Sequence, residues 1–470
     1  PSTCDTGWLE TSTRPTAFGD ETTTYSYAGH GGDAGATEER ELAERPRSAE
    51  RKVGSSVLSR TLYAYDGPDS TEARHCKDAG ADWGAEGSLA EKTLFSTNGL
   101  PASILTPEGT TVFAYSESGN GKLKTVRTFP GGTVAATVNA FGHEEYREEL
   151  QDGDVVYSAE SEVDAFGRPV ETEYHDGTSR SFSDYGLHGP RAVAGIDGSI
   201  ASVEYTAAGW TKSRSYLGTT VLMQYWPGGR LKARTTTAGG ESATESWTYD
   251  PLGRVASHTG LLGTTAYDHD YIGSGMVRST ADYPGRGDVV RVAHVDGSPL
   301  LVAGSGALPK KAFSYDVESY GDTVAAVAEH AGGSGSPEWR KRRYNRLGQL
   351  RYIAESGRSG RREIRYDAKG RPAMEIDQEG NRVLLESRQA DEYSALALDL
   401  NGNGRRDDSA DRIVQSSRDG LTRSVQTYPR AGSGAAAQLA SVQRSADAKT
   451  LVSEYADRKV TSSRTGYSPN

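Results

Sequence analysis

Read from end to end, the chain shows apolar and polar residues alternating in short runs, punctuated by turn residues, most often glycine. Around Ser199–Thr206 the text is SIASVEYT, and before Pro429 it is RSVQTY; Val203 and Tyr205 share one parity with Glu204 between them, as Val425 and Thr427 do with Gln426 between them. An alternation of period two over five to seven residues predicts half-buried β-strands. Helical periodicity is confined to one stretch, ATEERELAER at Ala36–Arg45, which predicts a short helix closed by Pro46.

The punctuation is regular. An aromatic or β-branched residue followed four positions later by glycine begins at Phe95, Tyr115, Val138, Val163, Phe182, Tyr205, Tyr225, Tyr249 and Tyr271, so successive starts are 20, 23, 25, 19, 23, 20, 24 and 22 residues apart. It returns at Tyr344, Tyr366 and Tyr428. Period and phrase together mark a repeat array. A second turn signal stands midway in many units, as in HDG ending at Gly177, at Gly263, and in DQEGN at Gly380. Turns every ten residues or so predict consecutive antiparallel hairpins.

The fullest copies, YDPLGR from Tyr249 and YDAKGR from Tyr366, explain the phrase physically. Asp250 suits the first position of a type I turn, Pro251 pre-sets the next backbone angle, and Gly253 supplies the left-handed residue that completes a hairpin bulge. Tyr249 ends one strand and Arg254 begins the next, so the arginine stem is expected beside the ring and its guanidinium at the turn carboxylate. The same roles fall to Tyr366, Asp367, Gly370 and Arg371, to Asp164, Gly167 and Arg168, to Tyr225, Gly229 and Arg230, and to Tyr344 and Gly348. Repeated across neighbouring hairpins, the tyrosines are expected to stack as a ladder.

Composition fits such a sheet. Of 470 residues, 35% are hydrophobic, with Gly 56, Pro 18 and Tyr 25 against Phe 8; this is a turn-rich chain whose rings each keep a polar edge. The net charge of −11 is spread over 53 basic and 64 acidic residues, which argues against nucleic acid as a partner. No apolar run is long enough to span a bilayer as a helix. The chain starts at Pro1 without a signal peptide, as expected of a processed product or a piece of something longer. Cys4 and Cys76 are compatible with one disulfide tying down the N-terminal segment or with two separate thiols; a composition that reads as extracellular favours the bridge.

At the Tyr, Asp, Gly and Arg positions just named, the sequence resembles the YD-repeat (Rhs-repeat) family, over roughly residues 94 to 427. That resemblance implies an all-β fold: a long antiparallel hairpin ribbon spiralling into a hollow shell, barrel or tube. Such shells encapsulate a toxin or form the barrel of cell-surface adhesion proteins such as the teneurins. The sequence departs from the toxin cages in lacking a C-terminal DPxGL motif. The expected organisation is a lead-in or capping segment over residues 1–93, the repeat array over 94–390, an insertion over 391–420 and degenerate repeats over 421–470. The expected function is that of a non-enzymatic, secreted or surface-attached structural protein that forms a shell, stalk or filament segment, with end-to-end self-assembly expected from the unpaired strand edges at its two ends. Its expected partners are further copies of itself or adjoining segments of a longer polypeptide. The alternatives are a toxin-encapsulating shell with its cargo, and a surface that binds or processes glycans.

Outside the repeat phrase, the richest chemistry lies in DLNGNGRRDDSAD, Asp399–Asp411. Asp399, Asn401 and Asn403 stand at positions one, three and five of a calcium-type loop, with Gly404 at the sharp turn, Arg405 at the backbone-carbonyl position and Asp407 at nine. Position twelve is Ala410, and the next carboxylate is Asp411. Structural calcium is the expectation, against a polar loop closed by Asx-turns. His269 in YDHDY and His75 beside Cys76 lack a second ligand at metal spacing. Trp210, Trp226 and Trp247 in adjacent repeats read as part of the aromatic framework or as a platform for a sugar ring. No hydrolase, metalloprotease or phosphate-loop signature is present.

Overall fold

The computed structural model describes residues 2–3, 9–27, 45–66, 69–81, 88–130, 132–151, 153–195, 200–216, 218–273, 275–305, 310–388, 393–407, 410–419, 422–428, 437–444, 450–455 and 458–463. Over these residues the chain forms 39 strands, from Ser2–Thr3 to Lys459–Ser463, and no helix. Every strand pairs antiparallel with its successor, as Thr219–Tyr225 does with Leu231–Ala238 and Leu231–Ala238 with Glu241–Tyr249. The result is one ribbon of consecutive hairpins in a single sheet. All-β, single-ribbon architecture is therefore what the alternation and the turn spacing implied. Of the expected helix, residues 36–44 lie outside the described residues.

Side chains explain how a ribbon one layer thick holds its register. One face carries hydroxyl pairs directly across strand pairs: Thr235 and Thr244 at 2.9 Å, Thr248 and Ser257 at 2.6 Å, Thr259 and Thr264 at 2.8 Å. Elsewhere opposite charges face each other, as Arg340 does Glu355 at 2.8 Å. Each such pair contributes a few tenths of a kcal/mol to about 1 kcal/mol, so register is fixed by many small terms. The apolar cores are correspondingly small; one comprises Leu384, Ala397 and Ile413 with Met374 packed against them. The chain exposes 26771 Å², against roughly 17,000 Å² for a compact globule of its mass.

The ribbon coils on itself. The turn after the second strand, Leu9–Thr16, meets the turn after the twenty-fifth, Gly287–His294: Ala17 N donates to Asp296 Oδ2 at 3.4 Å, and the Phe18 ring stands edge-on to Tyr315 at 5.2 Å. The turn after the eighth strand, Pro101–Thr106, meets the turn after the thirty-first, Arg361–Tyr366, through Glu108 and Arg371 at 3.9 Å. Both meetings give about twenty-three strands per turn of the spiral. At about 4.8 Å per strand that is a circumference of about 110 Å and a diameter of about 35 Å.

Candidate functional site

The repeated motif builds one edge of this ribbon. In an antiparallel ribbon, alternate turns fall on alternate edges. The turns opened by Asn139, Asp164, Thr206, Trp226, Asp250, Asn345 and Asp367 all follow odd-numbered strands, and so share one edge. At Asp250, Gly253 N donates to Asp250 O and Asp250 N to Arg254 O, both at 2.9 Å, while Asp250 Oδ1 accepts Arg254 N at 2.8 Å. The register shifts between Thr248 and Tyr249, and Gly253 has φ of +84°. This is the bulged hairpin expected from the sequence, and its left-handed residue must be glycine.

The arginine closes the turn. Arg254 Nε donates to Asp250 Oδ2 at 2.7 Å, Arg168 Nε to Asp164 Oδ2 at 2.8 Å and Arg371 Nε to Asp367 Oδ2 at 3.0 Å. The Arg168 side-chain bond holds the Asp164 carboxyl below the usual carboxylate range. At Asp250 and Asp367 partial desolvation pushes upward, but the bonds from Arg254 and Arg371 outweigh it and both carboxyls are again lowered.

Tyrosines and arginines differ from the expected ladder. The rings are not stacked on one another, because motif tyrosines end strands that are not neighbours. Instead three of the motif hydroxyls donate to the first carbonyl after the preceding motif turn: Tyr225 to Thr211 O at 2.8 Å, Tyr249 to Leu231 O at 2.9 Å and Tyr366 to Leu350 O at 2.8 Å. Tyr185 reaches Pro169 O in the same way. The guanidinium likewise lies over the tyrosine of the following unit, Arg168 over Tyr185 at 4.3 Å and Arg230 over Tyr249 at 5.6 Å. Ties from turn to turn therefore run along the motif edge.

That edge is also what the previous coil rests on. Arg346 Nε donates to Val57 O at 3.2 Å and Nη1 approaches Lys77 O at 3.5 Å; Pro15 lies against Gly275. A Cβ on Gly370 would stand 3.0 Å from Leu89, so the glycine that makes the turn also allows the coils to approach. Burial, with the Asp296 charge adding to it, pushes the Tyr315 hydroxyl to about 12, and it remains a proton donor to Pro299 O at 2.7 Å. A cleft of ≈ 720 Å³ opens along this seam between Phe18, Arg60, His75, Cys76, Tyr315 and Leu347. Sequence reasoning missed these seam residues, because partners about 280 positions apart leave no periodic trace.

The Asp399–Asp411 loop joins strand Tyr393–Leu398 to strand Arg412–Asp419. Asp399, its carboxyl wholly buried, accepts Asn403 N at 3.1 Å and Gly404 N at 2.9 Å. Asn401 Oδ1 accepts Asn403 N at 3.0 Å, Asn403 Oδ1 accepts Arg405 N at 2.7 Å, and Gly404 has φ of +72°. Asn401 Nδ2 donates to Asp407 Oδ2 at 3.5 Å, which brings positions three and nine together. Asp411 sits apart, buried at the loop base, where it accepts Leu400 N at 3.0 Å and Asp407 N at 2.9 Å. Among the described residues, no three His, Cys, Asp or Glu side chains come together as a metal site.

The remaining candidates have ordinary partners. Cys76 is buried, with Sγ 3.8 Å from Arg74 O; Cys4 lies outside the described residues. His269 Nε2 lies 3.1 Å from Val255 O. Trp210 packs on Gly229 and leans on Tyr225 at 5.4 Å, Trp247 stacks on His258 at 4.9 Å, and Trp226 Nε1 donates to Trp247 O at 3.4 Å.

No family model and no curated protein matches this sequence. Among solved structures, the chain is similar to TcdB2-TccC3 without its hypervariable C-terminal region, at 12% identity and a TM-score of 0.40, over 96% of this chain and 26% of that one. The structure of TcdB2-TccC3 gives the same identity and TM-score, over 96% of this chain and 27% of that one. The chain thus spans about a quarter of those proteins, and at this identity and TM-score the likeness assigns neither family nor function.

Proposed function

We propose that this chain is a wall-building protein: a non-enzymatic, secreted or surface-exposed coil of β-ribbon that encloses a space. The observation that carries the reading is the seam, where Phe18 meets Tyr315 and Glu108 meets Arg371. A single-layer ribbon about 35 Å across, less a wall about 10 Å thick, leaves a bore about 25 Å wide. That is room for an extended or small folded polypeptide, which makes cargo enclosure the natural use of the wall. Single-particle electron microscopy tests it. End-on views with a stain-filled centre support the proposal; solid particles of the same mass refute it.

Within the wall we propose that the 399–411 loop takes calcium as a structural ion. Asp399, Asn401, Asn403 and Asp407 would supply side-chain oxygens and Arg405 its carbonyl, a donor set of hard oxygens around a glycine turn. The ion would offset the buried Asp399 charge and rigidify the link between two strands; Asp411 would keep its place at the loop base. Calcium titration followed by calorimetry decides this, and heat unchanged by Asp399→Asn would refute it.

A further inference from the structure

The seam uses only part of each ribbon edge. Where the second coil presents its motif edge, the first coil's opposite edge covers it, and Leu347, in the position just before the motif glycine, is half-buried there. The equivalent position on the first coil has no such cover: Phe141 is 65% exposed, Phe166 67% and Leu252 76%, and Leu187 on the same edge is 92% exposed. The opposite edge is equally bare where no later coil reaches it: Leu261 and Leu262, at the turn after strand Val255–Gly260, are 85% and 75% exposed. Apolar tips repeated along one rim are more than scattered surface hydrophobics.

We infer that the motif rim of the first coil, from Phe141 to Leu252, is a docking surface for a second copy of this chain, which seats the opposite edge of its last coil on it. The motif edge already accepts the opposite edge of a neighbouring coil within the chain, through a ring on a ring, proline and leucine against motif-edge glycines, and arginine on carbonyl oxygens. One molecule carries both halves of that interface, uncovered, on its two edges. Such a contact is heterologous: it joins unlike surfaces, leaves one of each kind free, and so propagates into a filament or tube rather than closing as a dimer. Docking would also give cover to the exposed strand ends that limit a ribbon of this kind.

This inference rests on the coiled-wall reading and fails separately from it, because a hollow monomer that never associates overturns the inference alone. The test uses two double variants of the full chain at exposed turn tips, Leu187→Asp with Leu252→Asp on the motif rim and Leu261→Asp with Leu262→Asp on the opposite rim. Circular dichroism and melting temperature confirm that each still folds. Sedimentation velocity of the parent protein is expected to show mass growing with concentration beyond the dimer. Each variant alone is expected to stay monomeric, and an equimolar mixture to stop at a dimer, since each partner retains one competent rim. A parent protein that stays monomeric at every concentration overturns the inference. So does either variant associating alone as the parent does, or a mixture that gives no dimer.

Discussion

Removing one tyrosine hydroxyl isolates the tie between units. In Tyr366→Phe the ring keeps its place and its apolar contacts, and only the bond to Leu350 O at 2.8 Å is lost. A net hydrogen bond of this kind contributes about 1 kcal/mol. In a repeat array stability is a sum of unit and neighbour terms, so the loss stays local. Burial raises the Tyr366 hydroxyl above its ordinary value, which keeps the donor protonated throughout neutral pH and the comparison clean. Opening of the hairpins on either side, Leu350–Glu355 and Pro372–Ile376, should become easier by about 1 kcal/mol, hence amide exchange there faster by about fivefold. Strands Thr219–Tyr225 and Glu241–Tyr249, more than a hundred residues away, should exchange as before. Hydrogen exchange read by mass spectrometry gives both numbers at once. Equal acceleration everywhere would mean that the ribbon unfolds as one body, and no acceleration near residue 366 would mean that the tie contributes nothing; either result refutes the reasoning.

Three further outcomes are expected. Gly253→Ala should lower the urea midpoint more than Gly380→Ala: both residues are left-handed, at φ of +84° and +91°, costing about 1–2 kcal/mol each, but only at Gly253 would the new methyl also displace the Arg230 guanidinium from its place over Tyr249. The contribution of Asp164, Asp250 and Asp367 to thermal stability should be complete above about pH 4, the ordinary aspartate value, and be lost as pH drops through their lowered values. These groups bind more protons unfolded than folded, so stability rises with pH in that window and is complete above it; replacing all three with Asn should flatten the acid limb. Calcium at ten times its dissociation constant should stabilise the loop by about 1.4 kcal/mol, read as a chelator-reversible rise in melting temperature that Asp399→Asn abolishes.

How much of this was legible in the sequence follows from distance along the chain. The turn at Asp250–Arg254 is a local steric problem with one solution, so glycine, aspartate and arginine announce it, and their period announces the ribbon. The contact of Arg230 with Tyr249 lies one unit further out. It depends on which face of the next hairpin a long side chain crosses, so the arginine pairs with the tyrosine of the following unit and not with its own. The meeting of Phe18 with Tyr315 was not legible at all. It follows from curvature accumulated over about twenty-three small strand rotations, no one of which leaves a residue signature. The 399–411 loop shows its alternating Asp and Asn oxygens around Gly404 locally in the sequence, whereas the place of Asp411 at its base is set by the amides of Leu400 and Asp407, which the sequence does not mark.

Residues about 260 positions apart, such as Pro15 and Gly275, meet because the ribbon coils, and a cysteine pair tests this most directly. A Cβ on Gly275 would lie 3.2 Å from that of Pro15, close to the spacing a disulfide takes. Pro15→Cys with Gly275→Cys, in a background with Cys4 and Cys76 replaced by serine, is predicted to oxidise within single molecules. It should then run as a faster, looped species on a denaturing gel until reduced. Thiols that stay reduced under mild oxidant, or that bridge only between molecules, would contradict the coil.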